Sequence, residues 1–338
     1  MGLDTWATQE QIWHEVDGQG TYSDWWRLGA SAKGGRTTQR PAVLAIGPAG
    51  ENLCRFAVLV HDAGNTSGQG GFGGVFGSKN LKAISVIGSG SIDIADPEVL
   101  LNARTREAYS RQPGTPRVPA FFGLAERAAR PQGCSGCFRP CRARYEKYGN
   151  ESKCQSLLFS TMFDKQAGTA NADTIYMTVD LAQRLGINTF HAERGVEYMG
   201  ELHKMGILGR GRSVECELPL DHITDVDFAA SFLEAVAYRR GIGDELAEGF
   251  PRAAEKWGRL EEDSKTGVLA FPYWGYAEHG WDERCDCQWG YGTILGERDC
   301  NEHGLTLLGA GIAINRGQEP GDTAEELVKS VAAHLHPY

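Results

Sequence analysis

The chain lacks any run of about 18 apolar residues and any charged-then-apolar amino-terminal pattern, so we predict neither a membrane-spanning helix nor a secretory signal. It also lacks a basic run, a series of aromatic residues for base stacking and a helix-turn-helix pattern. Together with a formal charge of -10, these absences argue against nucleic acid as a partner. From 338 residues, 41% of them hydrophobic, we predict a cytoplasmic globular protein of two or three packed units.

The cysteine pattern excludes a secreted disulfide framework, because the nine cysteines are odd in number and several lie too close together in sequence. We expect them to remain reduced. Three of them form Cys134-x2-Cys137-x3-Cys141, a spacing that lets three thiolates converge on one metal centre. The spacing favours an iron–sulfur cluster with a distant fourth cysteine over structural zinc, because a second C-x2-C pair is absent. Unligated thiols are the third alternative.

Strand and helix patterns divide the chain near residue 95. Before it, apolar runs bounded by turn residues predict strands at Ala42–Ile46, Phe56–Val60 and Ala83–Ile87. After it, apolar residues spaced by three and four predict helices, with Asp227 and Asp244 as caps of the last two. The helical ranges are Pro97–Ala108, Ala172–Leu185, His191–Met205, Asp227–Arg240 and Gly243–Trp257. We therefore predict an α+β fold that is predominantly α-helical after a β-containing amino-terminal portion.

The segment 64–82 is rich in glycine but lacks the G-x4-G-K-[ST] pattern of a P-loop, and it follows no clearly predicted strand as a dinucleotide fingerprint should. Two interpretations stay open. Backbone N–H groups of such a loop can approach a phosphate closely, with Lys79 or Lys82 adding charge. Alternatively, the glycines form a tight turn where chain segments pack closely. The neighbouring turn, which carries Glu51 and Asn52, favours an anionic cofactor.

Five segments, taken in their order along the chain, carry a family resemblance. They are I-G-P-A-G-E-N-L-C-R-F-A at 46–57, G-Q-G-G-F-G-G-V-F-G-S-K-N-L-K-A-I at 68–84, the cysteine triplet, R-L-G-I-N-T at 184–189 and A-Y-R-R-G-I-G-D-E-L-A-E-G at 237–249. This series resembles the aldehyde:ferredoxin oxidoreductase family of tungsten enzymes. The resemblance implies a mononuclear tungsten or molybdenum held by two pterin cofactors and a [4Fe-4S] cluster. It also implies electron exchange with ferredoxin or another iron–sulfur carrier.

The resemblance also indicates which residues bind cofactor. In the family, the glycine loop holds pterin phosphate through backbone groups and a magnesium ion, and the turn at 183–188 contacts pterin. The matching residues are Asn65, Thr66, Ser67, Gly68, Gln183, Ile187 and Asn188. Asn65 and Gln69 replace two arginines of the family pattern R-A-A-G-R-G-G, and Gln183 and Asn188 replace two aspartates. At Asn65 and Gln69 we therefore expect that direct charge neutralisation is replaced by backbone donors or is weaker.

The resemblance further implies roles for the triplet and for two proton-handling residues. Cys134, Cys137 and Cys141 would bind the cluster. Glu151 matches a glutamate that follows the cysteine loop, although loop glutamates in general are more often solvated than catalytic. His303 is the substitute for an active-site histidine, because the segment 291–303 contains no earlier one. We expect the other histidines to have packing or surface roles.

The stretch 280–292 departs from the aldehyde-oxidising members and is closer to the tungsten subunit of aromatic acyl-CoA reductases, a branch of the same family. Cys285, Cys287 and Cys300 are either thiolate ligands for tungsten or buried thiols. The implied substrate is therefore a small carbonyl compound or an acyl-CoA. A non-catalytic module in which the triplet binds zinc is the alternative from a different functional class.

The resemblance covers the central part of a family member and implies three domains. Residues 1–95 correspond to the end of an amino-terminal β-rich pterin-binding domain, and 96–258 to a helical domain with the cysteine loop. Residues 259–338 correspond to the start of a truncated carboxy-terminal helical domain. Three explanations for the missing portions, which include the fourth cluster cysteine, stay open: an incomplete gene product, a split enzyme whose other part is a separately encoded subunit, and a decayed remnant.

Overall fold

The computed structural model describes residues 1–17, 26–27, 36–37, 40–68, 70–88, 93–102, 129–132, 142–145, 151–152, 154–163 and 172–271. The chain divides into two compact units, Met1–Ala270 and Phe271–Tyr338. Every described residue except Phe271 belongs to the first unit.

Antiparallel sheets form the β-containing part of the first unit. The strands are β1 (Trp26–Arg27), β2 (Arg36–Thr37), β3 (Ala42–Ile46), β4 (Leu59–His61), β5 (Asn65–Ser67), β6 (Ala83–Val86), β7 (Ala129–Gln132), β8 (Arg142–Tyr145) and β9 (Glu151–Ser152). They pair as β1-β2, β5-β4-β3-β6 and β7-β8-β9. β3 is central in the four-stranded sheet because its apolar run suits burial on both faces, and Ala45 pairs with Val60 and with Ala83.

Helices dominate the described chain after residue 153. The helices are α1 (Thr5–Asp17), α2 (Pro48–Glu51), α3 (Phe72–Ser78), α4 (described over 97–102), α5 (Cys154–Thr161), α6 (Ala172–Leu185), α7 (Thr189–Lys204), α8 (Val226–Ala237), α9 (Gly243–Ala247), α10 (Phe250–Lys256) and α11 (Leu260–Thr266). A short 3₁₀ turn occupies Leu220–His222. This order confirms the predicted α+β fold, with helices predominant after the strands.

Two helix predictions need correction. The range Gly243–Trp257 is two helices, because Gly249 has a φ of +95° and Pro251 opens the second helix. Asp227 and Asp244 are not caps. The N-caps are Asp225 and Ile242, and the predicted aspartates lie in the first turns, where a carboxylate interacts favourably with the helix dipole.

The strand predicted at Phe56–Val60 begins later than predicted, at Leu59. The residues before it pair elsewhere, since the backbone N–H of Val58 donates to the carbonyl oxygen of Gly186 at 2.8 Å. The strands at Ala42–Ile46 and, one residue shorter, at Ala83–Val86 are confirmed.

An aromatic stack connects the amino-terminal part with the helices. The rings of Phe56 and His191 are stacked with their centroids 4.3 Å apart, and Phe250 lies 6.0 Å and 5.6 Å from them. Phe232 extends the stack from α8, 6.5 Å from Phe250. All four side chains are buried, so their packing fixes the chain before β4 against α7, α8 and α10.

Candidate cofactor-binding site

The glycine-rich segment has two parts. In the first part described, from Gly71 to Gly77, glycines pack closely against other backbone segments. A Cβ added at Gly71 would lie 2.2 Å from the carbonyl oxygen of Arg55, and one added at Gly77 would lie 1.9 Å from that of Gly50. Side chains do not make contacts this short, so only glycine fits at these positions. The packing interpretation is therefore confirmed for the part in and next to α3.

In the second part, around Gly68 and Gly70, the described residues leave space at Gly68. A Cβ at Gly68 would meet, among the described residues, only Thr66 Oγ1 at 3.8 Å, which is an ordinary contact. Gly70 has a φ of +89°, and the nearest atoms to its Cβ would belong to the ring of Phe72 at 2.8 Å. No described residue therefore requires glycine at Gly68, whereas a ligand that approached the backbone closely would require it.

β5 precedes this open backbone and is the edge strand of its sheet. It pairs with β4 through Leu59 opposite Ser67 and Val60 opposite Thr66. An edge strand presents backbone donors and acceptors that its sheet does not use. No clear strand was predicted before the glycines, because the three polar residues of β5 show no apolar alternation, and β5 corrects that prediction.

The turn between α6 and α7 lies beside this loop. The carbonyl oxygen of Gly186 accepts from Val58, and Ala57 forms an isolated antiparallel bridge with Ile187. A Cβ at Gly47 would lie 2.3 Å from the carbonyl oxygen of Leu185, so the two turns touch through backbone. The motifs at 46–57 and 184–189 are thus neighbours in space.

Asn188 joins the glycine loop to α7. Its Oδ1 accepts from the backbone N–H groups of Phe190 at 2.9 Å and His191 at 3.2 Å, so it caps the helix. Its Nδ2 donates to the carbonyl oxygen of Gly68 at 2.6 Å. An aspartate at this position could cap the helix but could not donate to Gly68. The amide at this position therefore makes a contact that the family's usual carboxylate cannot make.

Gln183 lies at the other end of β5. It is buried, its backbone carbonyl accepts from Thr5 Oγ1 at 2.9 Å, and a Cβ at Gly64 would lie 2.4 Å from its Nε2. Gly64 immediately precedes β5, and the carbonyl bound by Asn188 immediately follows it. The seven predicted cofactor-binding residues are therefore brought together around one strand, and their role as ligands stays a prediction.

Of the two lysines considered as partners of a phosphate at the loop, Lys82 is bound elsewhere and Lys79 lies exposed at the end of α3. Lys82 Nζ donates to Glu51 Oε1 and to the carbonyl oxygen of Leu3, and Lys79 is the exposed C-cap of α3. Hydroxyl, amide and backbone groups are thus the donors of the seven-residue set, and they fit a phosphate group. The set contains no carboxylate, so a magnesium ion there would depend on carbonyl and phosphate oxygens.

Several predicted site residues lie outside the described residues: Cys134, Cys137, Cys141, Cys285, Cys287, Cys300 and His303. Glu151 begins β9, where its backbone pairs with Arg144 of β8. Within the described residues, no group of three or more His, Cys, Asp and Glu could hold a metal ion. In the same ranges, no helix has both the length and the apolar character needed to cross a membrane.

The described histidines match their expected structural roles. Burial in the aromatic stack lowers the pKa of His191 to about 3, so this ring is neutral at physiological pH. His203 bonds to the carbonyl oxygen of Leu208 and to Asp221, and His222 pairs with Asp225.

Sequence reasoning missed two residues that support the site. Thr5, in an amino-terminal helix that was not predicted, holds the carbonyl of Gln183. Arg239 binds the end of α2, and its only signal in the sequence is its position in the motif at 237–249.

Comparison with known proteins places the chain in a family. A sequence profile described as aldehyde ferredoxin oxidoreductase, domains 2 and 3, matches residues 115–303, more than half of the chain. The chain belongs to the aldehyde ferredoxin oxidoreductase family. The profile of the N-terminal domain of the aldehyde ferredoxin oxidoreductases matches residues 1–88, which include β5 and the glycine loop.

Curated relatives of the aldehyde ferredoxin oxidoreductase family are similar over part of their length. A tungsten-containing aldehyde ferredoxin oxidoreductase of Pyrococcus furiosus is 25% identical over 276 residues, covering 70% of this chain and 45% of that protein. The corresponding protein of Thermococcus kodakarensis is 25% identical over 277 residues, with 68% and 44% covered. An aliphatic sulfonate oxidoreductase, WOR-like subunit, of Pyrococcus furiosus is 28% identical over 259 residues, with 64% and 41% covered. The chain thus spans somewhat less than half the length of these relatives.

A solved structure shares the fold. It is described as the active site complex BamBC of benzoyl coenzyme A reductase in complex with 1,5 dienoyl-CoA. The match has a TM-score of 0.58 at 21% identity and covers 88% of this chain and 48% of the other.

Proposed function

We propose that the chain is part of a tungsten- or molybdenum-dependent bis-pterin iron–sulfur oxidoreductase that acts on an aldehyde or oxo group, with ferredoxin as electron acceptor. The observation that carries the proposal is the open backbone of Gly68 at the end of β5, bound by Asn188 from the α6–α7 turn. Both segments belong to a family whose relatives are named as tungsten-containing. We include a cytoplasmic location in the proposal, because metal-binding thiols need reducing conditions.

In this proposal, pterin phosphate is held at the edge of the four-stranded sheet. The residues that would hold it are Asn65, Thr66, Ser67, Gly68, Gln183, Ile187 and Asn188. Hydroxyls and amides of this set, with backbone N–H groups of residues 65–68, would replace the arginines of the family pattern, since the N–H groups of Ile187 and Asn188 already donate to Ala182 and Phe56. The Nδ2 of Asn188 donates to the Gly68 carbonyl, and in this proposal N–H groups next to Gly68 would turn toward the anion.

The proposed reaction requires proton handling and single-electron transfer. Oxidation of an aldehyde to a carboxylic acid takes an oxygen atom from water and releases two electrons and two protons. When bound, the metal–pterin group supplies the two-electron chemistry. Glu151 and His303 would accept the protons, and Cys134, Cys137 and Cys141 would hold a [4Fe-4S] cluster, which when bound would supply the single-electron chemistry that ferredoxin requires.

Reduction of an aromatic acyl-CoA is a second candidate. It is favoured by the stretch 280–292, which departs from aldehyde-oxidising members and contains Cys285 and Cys287. The two candidates predict the same cofactors and differ in the substrate that is turned over.

Metal analysis tests the proposal against a zinc-binding module. We expect iron with tungsten or molybdenum in protein purified without oxygen from a host that makes the pterin cofactor. Cys137→Ala should abolish the visible absorption of the cluster. The matched control is Cys216→Ala, which removes a free thiol that is buried elsewhere in the chain. Zinc without iron, tungsten or molybdenum, or unchanged colour in the Cys137 variant, would contradict the proposal.

A further inference from the structure

Arg239 uses every N–H donor of its guanidinium group. Nε donates to the carbonyl oxygen of Asn52 at 2.6 Å, and Nη2 donates to that of Leu53 at 3.1 Å and to Glu248 Oε1 at 2.7 Å. Nη1 donates to the backbone oxygen of Asp244 at 3.2 Å and to its Oδ1 at 2.8 Å. Five donors in a rigid fork is a property of arginine alone, since lysine has three on a freely rotating group.

The two carbonyl groups that Arg239 binds lie just after α2. Asn52 is the C-cap of that helix, and Leu53 has a φ of +58°, which is uncommon for a residue with a branched side chain. Arg239 itself has a φ of +52°. The Nδ2 of Asn52 donates back to the carbonyl oxygen of Ala237 at 2.8 Å. These reciprocal bonds stabilise two backbone conformations that would be unfavourable by themselves.

The two acidic partners of Arg239 hold it in this orientation. Asp244 and Glu248 belong to the same motif at 237–249. Glu248 also accepts from Arg55 Nε at 2.8 Å, and the backbone N–H of Arg55 donates to Ala247 at 2.9 Å. The hydrogen bond from Arg55, and after it that from Arg239, lowers the pKa of Glu248 against the opposing effect of burial. The motif at 237–249 thus forms hydrogen bonds with both ends of the turn 52–55.

The turn 52–55 is also the surface on which the packed glycines rest. The carbonyl oxygen of Arg55 would lie 2.2 Å from a Cβ at Gly71, and that of Cys54 would lie 2.9 Å from one at Gly74. A shift of this turn would therefore push directly on the backbone of the glycine segment. Gly71 is only three residues from Gly68, where the backbone is open.

We propose that Arg239 is a positioning residue that sets the place of the glycine loop through the turn 52–55. The link from Arg239 to Gly71 follows from the geometry alone, whereas the effect of this link on cofactor binding rests on the function proposed above. It explains the motif at 237–249: Arg239 forks to the turn, Asp244 and Glu248 orient the fork, and Gly241, with a φ of +54°, reverses the chain between them.

Hydrogen exchange of the cofactor-free chain tests the link. In Arg239→Lys, the amides of Arg55 and Gly73 should exchange at least about tenfold faster, the loss expected for one charged hydrogen bond. Amides in α7, such as those of Met199 and Leu202, should keep their rates. The matched control is Arg240→Lys, because the neighbouring Arg240 stacks over the Tyr238 ring at 4.8 Å. Unchanged rates at Arg55 and Gly73, or an equal acceleration in α7, would overturn the proposal.

A milder variant covers the case in which Arg239→Lys does not fold. Asp244→Asn keeps Arg239 and removes one charge, and the same two amides should exchange about threefold faster. Unchanged rates at both amides would count against the link.

Pterin content, measured by fluorescence after oxidative release, gives an independent readout. We expect less pterin in folded Arg239→Lys than in the wild type, and equal content would refute the link to the cofactor. A wild type without pterin would refute the proposed function, while the exchange experiment would still decide the role of Arg239.

Discussion

Glu193 in α7 gives a quantitative test of the structure, because its carboxyl group is buried and one of its oxygen atoms accepts no hydrogen bond from a described residue. The side chain is 8% exposed, and Oε2 receives no hydrogen bond from any described residue. Burial raises the pKa of Glu193 from 4.5 to about 7, and the charge of Arg194 lowers it only in part. The change that tests this is Glu193→Gln, which keeps the shape of the side chain and removes its titration.

The expected magnitude follows from the two pKa values. A rise from 4.5 to about 7 corresponds to about 3 kcal/mol at 1.36 kcal/mol per unit. The folded state binds more protons than the unfolded state between these values. The free energy of unfolding should therefore fall as the pH rises through this window and stay low above it. Glu193→Gln should escape the loss and be more stable than the wild type at pH 8 by about 2 to 3 kcal/mol.

Urea unfolding followed by circular dichroism at about pH 5 and pH 8 measures the effect. The advantage of Glu193→Gln should be small at the lower pH and large at the higher one. Glu201→Gln is the control on the same helix, because Glu201 is exposed and paired with Lys204. Equal differences at both pH values would refute the assignment of a raised pKa to Glu193.

Three further predictions follow from single contacts. Asn188→Asp should lower the free energy of unfolding by about 1 to 3 kcal/mol, because a carboxylate would replace the amide donor that lies 2.6 Å from the Gly68 carbonyl oxygen. Thermal unfolding measures this loss, and a variant as stable as the wild type would contradict the prediction. Gly68→Ala should fold normally but retain less pterin, whereas Gly73→Ala should fail to fold, because the added Cβ would lie 2.7 Å from a backbone atom. Circular dichroism measures the folding and pterin content measures cofactor retention. Two equally folded variants would contradict this prediction. Tyr198→Phe should lower the free energy of unfolding by about 1 to 3 kcal/mol in urea, because Tyr198 donates a hydrogen bond to the fully buried Asp263 at 2.7 Å. A loss below about 0.5 kcal/mol, the lower end of the range for one hydrogen bond, would contradict this prediction.

Local signals in the sequence located α6, α7, α8 and the range of α9 and α10, whereas α1, α5 and α11 were not predicted. The bounds of α6 agree with the prediction, because its apolar stripe ends at Gly186, which has a φ of +76°. α7 begins at Thr189, two residues before its predicted start, since Asn188 had been interpreted only as a cofactor residue and not as a cap. The break at Gly249 was also visible locally, as a glycine followed two residues later by a proline.

The candidate site depended on contacts that no local pattern reports. Family motifs located the segments around β5 and the turn at Asn188, but the division of the glycines into packed and open ones depends on the distant turn 52–55. The bonds of Arg239 to Asn52 and Leu53 span 187 and 186 residues. Periodicity describes neighbours along the chain and carries no information about such pairs.

The long-range bonds between the turn 52–55 and the motif at 237–249 have a consequence for synthesis on the ribosome. The pair Asn52 and Ala237 is separated by 185 residues, which take about 10 to 40 s to translate at common rates. During that time the early strands exist without the residues that fasten them. We therefore expect the nascent amino-terminal part to benefit from chaperones, and we expect any ligand of the glycine loop to bind stably only after the motif has emerged.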